Sequence, residues 1–466
     1  MLSRDDLIEL EIESAAYEGK SVGRADGLVI FVPFAVPGDR VLARVVKRRR
    51  KYAEARIEEV LRPSVDRVEP RCIYFGTCGG CRLQNVAYAR QLEAKREQVT
   101  SLLERIGRFP DPPVAETLPA PSPYLYRNKM EFSFGNRRWL TKEEIAAEGR
   151  VDRNFALGLH IPGRFDRILD LYECHLQSDW TPRLVNRVRR LALEQQWEAY
   201  DTIENRGFLR NLIIRMAWQT GQVMVVLVTT SFDPARLEIL TTCLQEEFPE
   251  ITTLINSVNS TRSPVVVGDQ DTVIYGPGYI EERISDRLFR ITPSVFFQPN
   301  SLQAERLFGI VEEHSHLSSG DLLYDLYCGL GSIGLFLAPR VRRVVGVENH
   351  PEAVRLAELN AEQNGIANAV FHAGDTLMAL KPDFQRRNGR PDVVILDPPR
   401  VGLHPDVVQG LIRTKPSRIV YTSCNPATLA RDLQLLSGHY HLEAVQPVDM
   451  FPQTFHIEVV TALARK

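Results

Sequence analysis

The pattern of apolar and polar positions divides the chain into three parts. Over residues 1–63, short apolar segments such as Leu28–Val32 and Val41–Val46 are separated by glycine-rich turns, which predicts a small β-barrel. A longer stretch, Tyr88–Ile106, predicts a helix, and a proline-rich connector follows it. From Leu322 onwards apolar strands alternate with helices, which is typical of a doubly wound parallel sheet.

The predicted fold class is therefore α/β. We expect an OB-like barrel over 1–63, a mixed α/β central domain over 64–290 with the helical and proline-rich connector at about 88–123, and a Rossmann-like sheet domain over 291–466. Within the central domain, Pro234–Glu247 is predicted as a helix that Asp233 caps. Strands are expected near residues 130, 157, 212, 225 and 254.

Composition narrows the class of protein. With 44% hydrophobic and 25% charged residues in 466, the chain has the material for folded domains rather than disorder. Its 57 basic and 59 acidic residues give a net charge of −2, so any nucleic-acid binding must come from local patches. Seven cysteines do not make a disulfide scaffold. Because neither a signal-peptide pattern nor an apolar run of about 18 residues occurs, we predict a cytoplasmic protein with no membrane association and no evident obligate protein partner.

One such basic patch is the run Lys47–Lys51, directly after the third apolar segment of the predicted barrel. It is interpreted either as a solvated loop or as a clamp for the phosphates of a nucleic acid.

A glycine-rich turn marks a candidate nucleotide site. The apolar strand Leu322–Leu326 runs into a turn that contains Gly329 and Gly331 and then into a helix. The next strand, Val344–Val347, ends in Glu348, which lies 19 residues beyond Gly329. This spacing suits a carboxylate that binds ribose hydroxyls.

Two further strands in this half end in acids, Asp375 and Asp397. Each acid alone could be a helix cap, but a series of polar strand ends is where an open α/β sheet binds its ligand. A nicotinamide dinucleotide is the competing ligand, but its pyrophosphate favours positive charge, whereas Asp325 precedes the glycine turn. The acids suit the sulfonium and amino groups of S-adenosylmethionine, and we predict that cofactor.

Cys424 follows the strand Ile419–Ser423, where a fifth strand should reach the same pocket. A cysteine alone is often a small buried apolar residue. Next to a methyl donor, however, a thiolate that adds to carbon 6 of a pyrimidine makes carbon 5 nucleophilic. Enzymes that methylate exocyclic amines also have Asp-Pro-Pro at this strand end, but they prefer an aromatic residue after it, whereas Arg400 follows Asp397-Pro-Pro here. We expect Arg400 to lower the pKa of the Cys424 thiol.

A base must then remove the proton from carbon 5. Glu458 lies in an otherwise apolar strand, where glutamate is uncommon. It is either this base or an outward-facing strand residue, and His456 is the alternative base because it shares the same face.

Five motifs together resemble the RNA 5-methyluridine methyltransferase family, which includes transfer-RNA and 23S ribosomal-RNA enzymes. They are Phe296–Asn300, Asp325–Gly329, Asp397–Arg400, Ser423–Pro426 and His456–Glu458. The resemblance implies that Cys424 is the nucleophile and Glu458 the base, and that the N-terminal barrel is an RNA-binding TRAM domain. It also implies contacts to S-adenosylmethionine from Gln298, Tyr327, Glu348, Asp397 and Asp375.

Four cysteines form a candidate metal site. Cys72, Cys78 and Cys81 have the spacing C-x5-C-x2-C, and Cys174 lies 93 residues further on. This spacing disfavours paired zinc knuckles and suits an iron–sulfur cluster, although zinc and inert cysteines remain alternatives. The resemblance implies that these four residues ligate a [4Fe–4S] cluster, which we expect to pin the 64–123 segment onto the central domain.

The central domain is expected to contact RNA. Basic and aromatic residues alternate over Tyr124–Phe134, and Arg210–Arg215 is a candidate second strand of that surface; the alternative is a half-buried strand with an extended lysine. We predict an enzyme that methylates carbon 5 of a specific uridine in structured RNA, with 23S ribosomal RNA as the first candidate and a transfer-RNA T-loop as the second. The alternative class is an inactive RNA-binding or assembly factor of the same fold.

Overall fold

The computed structural model describes residues 2–146, 152–262, 266, 268 and 270–466. They form two compact units, each built from segments that are separate in sequence. The first unit contains residues 1–76, 80–123 and 397–466, and the second contains residues 77–79 and 124–396. The domain limits at 63 and 290 stay predictions.

The strands of the first unit are β1 (Leu7–Ala15), β2 (Lys20–Ala25), β3 (Leu28–Pro33), β4 (Arg40–Arg48), β5 (Tyr52–Arg62), β20 (Arg418–Ser423), β21 (Tyr440–Val448) and β22 (Glu458–Arg465). Those of the second unit are β6 (Lys129–Gly135), β7 (Arg138–Trp139), β8 (Ala156–Ile161), β9 (Arg164–Asp170), β10 (Leu209–Met216), β11 (Val223–Thr229), β12 (Ile251–Val258), β13 (Gln270–Tyr275), β14 (Ile280–Ile284), β15 (Arg287–Ile291), β16 (Leu322–Leu326), β17 (Arg343–Glu348), β18 (Ala369–Ala373) and β19 (Val393–Leu396). The central strands expected from the sequence are all present.

The helices of the first unit are α1 (Tyr88–Arg105), α10 (Pro405–Thr414) and α11 (Pro426–Leu436). Those of the second unit are α2 (Lys142–Ala146), α3 (Trp180–Glu194), α4 (Pro234–Glu247), α5 (Ser301–Ser315), α6 (Ser332–Leu337), α7 (Pro351–Gln363), α8 (Thr376–Ala379) and α9 (Pro382–Asn388). The prediction for α4 is confirmed, because the Asp233 side chain accepts a hydrogen bond from the backbone N–H of Arg236. No helix in the described part of the chain is long and apolar enough to cross a membrane.

The N-terminal strands form the predicted barrel, which closes in the order β1-β2-β3-β5-β4. Alternate side chains of β3 and β4 point inward, and Ile30, Val32, Val41, Ala43 and Val45 are fully buried there. The two-residue period of the sequence therefore places the apolar face of each strand in the barrel core.

In the same unit, β22 lies between β20 and β21 and runs antiparallel to both. Helix α1 packs against α11 and β21. Its polar residue Lys95 is buried and forms an ion pair with Asp449, at 2.6 Å between Nζ and Oδ1. The helix that the sequence predicts before the proline-rich connector is therefore fixed against the C-terminal strands.

The second unit contains an eight-stranded sheet in the order β13-β12-β11-β10-β6-β8-β9-β7. It also contains four parallel strands, β18-β17-β16-β19, with α5, α6 and α7 among the helices around them. Because parallel strands all end at the same edge, Tyr327, Glu348 and Gly374, which end β16, β17 and β18, come together there.

Candidate active site

The turn after β16 is held in a strained conformation by its neighbours. Tyr327 has a φ of +64°, and its N–H donates to the Val347 carbonyl at 3.0 Å. Gly331 has a φ of +82°, and a Cβ there would lie 3.0 Å from the ring of Phe371. An L-residue at 331 would therefore meet both backbone strain and a clash, which explains the glycine in the motif.

Acidic side chains fix this turn through its backbone. One Glu348 carboxylate oxygen accepts from the Gly329 N–H at 3.1 Å, and the other accepts from the His350 N–H at 2.8 Å. The buried Asp325 carboxylate accepts from the Gly334 N–H at 2.9 Å. Glu348 still has lone pairs available for a ligand, since each carboxylate oxygen accepts more than one hydrogen bond.

The space around this edge fits a cationic nucleoside. A Cβ at Gly329 would meet nothing within 4 Å, so the turn faces open space. Asp375 lies after β18, next to the end of β17, where the Gly374 N–H donates to the Glu348 carbonyl at 2.9 Å. The Asp375 side chain also caps α8, so the helix-cap interpretation holds for it. These acids fit the amino and sulfonium groups of S-adenosylmethionine rather than a pyrophosphate.

Gln298 lies just before α5 and is buried. The Asn128 side-chain amide donates to the Gln298 carbonyl at 2.8 Å and to the Ser301 hydroxyl at 2.8 Å. Asn300 caps α5 by accepting from the Gln303 N–H. The motif around Gln298 is therefore fixed in position by the central sheet of the same unit.

The first unit contains a small pocket around Cys424, with a volume of about 30 Å³. Asn425 caps α11 through its Oδ1, and its Nδ2 donates to the Arg400 carbonyl at 3.0 Å. This bond ties the end of β20 to the segment after Asp397. The pocket is lined by Gln98, Arg400, Cys424, Asn425, Phe455 and His456, among others.

Burial dominates the electrostatics of this pocket. Burial and, to a smaller extent, the charges of Glu458 and Asp397 raise the pKa of the Cys424 thiol to about 11, against the opposing effect of Arg400. The expectation of a depressed thiol pKa is therefore wrong for the protein without substrate, because desolvation and the neighbouring carboxylates outweigh one guanidinium.

The pKa values of the two carboxylic acids that interact with Cys424, Asp397 and Glu458, are shifted in the same direction. Burial raises the pKa of Asp397 to about 7. Burial and the charge of Asp397 raise the pKa of Glu458 well above its usual value, while Arg400 lowers it. Carboxyl groups whose pKa values are raised by burial are typical of sites where protons are transferred.

The positions of Glu458 and His456 separate them as candidate bases. Glu458 begins β22 and is buried, with 6% of its surface exposed, so it is not an outward-facing strand residue. His456 lies before the strand, and its Nδ1 accepts from Arg400 at 2.9 Å. Sequence periodicity could not distinguish the two, because it assumed one continuous strand.

The structure adds one polar pocket residue that the sequence analysis missed, Gln98 of α1. A signal was present: Gln91, Lys95 and Gln98 have the spacing of one helix face, and polar residues on a packed face are unusual.

The four candidate cluster ligands, Cys72, Cys78, Cys81 and Cys174, are each partly exposed. Among the residues that the structure describes, no group of three or more His, Cys, Asp and Glu side chains is placed to hold a metal ion. The ligand set therefore stays a prediction.

Parallel strands with acidic ends and a glycine turn define the second unit as the cofactor side of a class I S-adenosylmethionine-dependent methyltransferase. Comparison with known proteins identifies the family within this class. Residues 255–466 match the tRNA (uracil-5-)-methyltransferase family, and residues 6–57 match the TRAM domain.

Relatives match over almost the whole chain. An RNA methyltransferase of Bacteroides thetaiotaomicron is 42% identical over 96% of this chain and 99% of its own length. One from Chlorobaculum tepidum is 41% identical over 99% of this chain and 97% of its own. The crystal structure of Pyrococcus abyssi tRNA (uracil-54, C5)-methyltransferase in complex with S-adenosyl-L-homocysteine is 30% identical, covers 98% of this chain and 100% of that chain, and has a TM-score of 0.76.

The chain therefore belongs to the RNA uracil-C5 methyltransferase family. The prediction of an α/β enzyme with an N-terminal TRAM barrel is confirmed, and so is the prediction that it uses S-adenosylmethionine and acts on RNA.

Proposed function

We propose that Cys424 and Glu458 act in succession on the target uracil. The Cys424 sulfur forms a bond with carbon 6, and the π electrons of the carbon 5–carbon 6 bond move through carbon 4 onto oxygen 4, giving an enolate. Carbon 5 then takes the methyl group, and the enolate collapses to the carbonyl. Glu458 removes the proton from carbon 5, and the returning electron pair expels the sulfur.

One observation carries this proposal: the Cys424 thiol and the Arg400 guanidinium line one small pocket of the first unit, and the carboxyl groups of Glu458 and Asp397 lie close enough to interact electrostatically with that thiol. A thiol with a raised pKa must lose its proton before attack. Arg400 is the group in the pocket that favours the thiolate. Glu458 is the better base than His456, because the His456 Nδ1 already accepts from Arg400.

On the cofactor side, we propose that Tyr327, Glu348, Asp375 and Gln298 hold S-adenosylmethionine, with Asp397 as a further contact. When bound, the cofactor supplies an electrophilic methyl group. We assign the ribose hydroxyls to Glu348, whose carboxylate also accepts a hydrogen bond from the Gly329 N–H. Asp397 affects the titration of both Cys424 and Glu458, so it belongs to the catalytic pocket as well.

We propose 23S ribosomal RNA as the substrate, because the chain combines a TRAM barrel with the four-cysteine pattern of the larger family members. A transfer-RNA T-loop uridine is the second candidate. The whole-chain similarity to a Pyrococcus abyssi enzyme whose name specifies tRNA uracil-54 favours it.

The test is to incubate the purified protein and S-adenosylmethionine separately with unmodified 23S ribosomal RNA and unmodified transfer RNA, and then to map 5-methyluridine. We expect one modified uridine in the ribosomal RNA. Modification of the T-loop alone would favour the second candidate. If neither RNA contained 5-methyluridine, the assignment of both substrates would be wrong.

We further propose that Cys72, Cys78, Cys81 and Cys174 ligate a [4Fe–4S] cluster, on the basis of their spacing and of thiolate as its usual ligand. The cluster carries no step of the reaction. Protein purified without oxygen should contain about four irons per chain. Cys174→Ser should lower the iron content and Cys243→Ser, a buried cysteine outside the set, should not. Stoichiometric zinc without iron would contradict the proposal.

A further inference from the structure

Helix α1 presents three polar side chains, Gln91, Lys95 and Gln98, along one face. Gln91 is fully engaged: its Nε2 donates to the Leu83 and Val86 carbonyls at 3.0 and 2.9 Å, and to Gln453 Oε1 at 3.1 Å. The first two contacts hold the residues that lead into α1, and the bond to Gln453 ties α1 to the segment that precedes β22 in the same unit.

Lys95 is engaged in the same way. Its ammonium donates to Asp449 Oδ1 at 2.6 Å and to the Phe451 carbonyl at 3.3 Å. The Tyr88 hydroxyl donates to the other Asp449 oxygen at 2.8 Å. Two of the three polar residues on this face thus have a structural role that is satisfied within the protein.

Gln98 differs from both. Its Nε2 is buried and has no hydrogen-bond partner among the described residues, yet the side chain lines the Cys424 pocket. A buried N–H donor without a partner destabilises the folded protein, because it has lost its hydrogen bonds to water. A donor kept in a pocket under that penalty is expected to meet an acceptor that the ligand brings.

We propose that Gln98 is a catalytic residue whose Nε2–H donates a hydrogen bond to oxygen 4 of the target uracil. The proposal rests on the proposed function, because it requires a uracil at Cys424. Attack by sulfur at carbon 6 places negative charge on oxygen 4, so this hydrogen bond is stronger in the enolate than in the bound base. Such a donor accelerates the addition step more than it tightens RNA binding.

The contacts of α1 fix the backbone that carries this donor. Gln98 lies three residues after Lys95 and seven after Gln91, so all three share one face of the helix. Because the other two anchor the helix, the position of the Gln98 Cα is set before substrate arrives. A preorganised donor costs little reorganisation when charge develops on the oxygen.

The test compares Gln98→Ala, Gln98→Glu and a control, Glu104→Ala, whose side chain is exposed on the same helix. The measurement is the single-turnover rate of covalent adduct formation in the presence of saturating S-adenosylmethionine and saturating RNA that carries 5-fluorouridine at the target position. Fluorine at carbon 5 cannot leave as a proton would, so the adduct accumulates. Melting temperature and RNA affinity are measured in parallel.

We expect Gln98→Ala to slow adduct formation by about 10²–10³-fold while RNA affinity and melting temperature stay near those of the parent and of Glu104→Ala. Gln98→Glu keeps the shape but replaces the donor by a carboxylate, so it should be slower still. Parental rates in Gln98→Ala, or a Glu variant faster than the Ala variant, would overturn the donor role and leave only packing.

The two proposals fail in different ways. If the parent protein forms neither 5-methyluridine nor an adduct, the covalent mechanism and the role of Gln98 are both wrong. If the parent forms both and the Gln98 variants match it, the role of Gln98 alone is wrong.

Discussion

The proposed cofactor region of the second unit and the Cys424 pocket of the first unit differ in the environment of their ionisable groups. At the strand ends of the second unit, backbone N–H groups bond to the carboxylates of Glu348 and Asp325. In the pocket of the first unit, burial raises the pKa values of Cys424, Glu458 and Asp397. We therefore propose that the first region binds a ligand and that the second carries out the chemistry, because burial disfavours the charged forms of its thiol and carboxyl groups.

The substitution Cys424→Ala is expected to have the largest effect, and it distinguishes the functions proposed for the two regions. Without the sulfur, carbon 5 is not activated, so we expect no 5-methyluridine above background and no covalent protein–RNA species. S-adenosylmethionine affinity, measured by calorimetry, should match the parent, because the proposed contacts around Tyr327 and Glu348 belong to the other unit. Product formation by this variant would remove the distinction between the regions.

The second largest change is expected from breaking the buried ion pair between Lys95 and Asp449, which fixes the helix that carries Gln98. Asp449→Ala leaves the buried Lys95 charge without its partner, so the free energy of unfolding should fall by about 3–5 kcal/mol in urea. The Arg40–Glu9 pair has the same 2.6 Å separation but is exposed. Glu9→Gln should therefore cost less than about 1 kcal/mol. If both variants lost the same free energy of unfolding, burial of the Lys95–Asp449 pair would not increase its contribution to stability.

The raised pKa values predict how the reaction depends on pH. With a Cys424 pKa of about 11, the thiolate fraction rises about tenfold for each pH unit between 7 and 9, and Asp397 loses its proton near pH 7. The rate of adduct formation with saturating RNA should therefore rise from pH 6 to 9. A rate that is flat or falls over this range would show that substrate binding removes the effect of burial.

The basic run on the barrel is expected to give the smallest change. Lys47 forms an ion pair with Glu54 at 3.6 Å. Neutralising Lys47–Lys51 should weaken RNA binding several-fold and flatten its salt dependence, since each lost phosphate contact lowers the slope by about 0.7–0.9. Neutralising Arg40 and Arg62, which pair with Glu9 and Glu11, is the control and should change the slope less. Equal slopes in all variants would identify the run as a solvated loop.

Sequence could predict the cofactor side because its signals are local. The glycine turn, the strands that flank it and the 19-residue spacing to Glu348 all lie within one stretch of chain. The N-cap of α4 and the two-residue period of the barrel strands are local in the same sense. Each of these is decided by neighbours along the chain rather than by tertiary packing.

The proposed catalytic pocket was less predictable, because it depends on tertiary packing between residues that are distant in sequence. Its residues Cys424 and Glu458 follow from the chemistry and the motifs, but their protonation depends on burial, which no spacing encodes. Gln98 reaches the pocket only because α1 packs against the C-terminal strands, more than 300 residues further along the chain. The sign of the Cys424 pKa shift was wrong because one favourable charge, Arg400, was considered without the cost of desolvation.

The central claim is that Cys424 and Glu458 act consecutively, and Glu458→Gln tests it most directly. The variant keeps the thiol, so addition to carbon 6 and methylation of carbon 5 proceed, but the proton is not removed and the sulfur is not expelled. With S-adenosylmethionine labelled in its methyl group, we expect a labelled protein–RNA species that survives denaturing electrophoresis and decays slowly, because a general base contributes about 10²–10⁴-fold. Turnover at the parental rate with no accumulated adduct would contradict the assignment of Glu458 as the base.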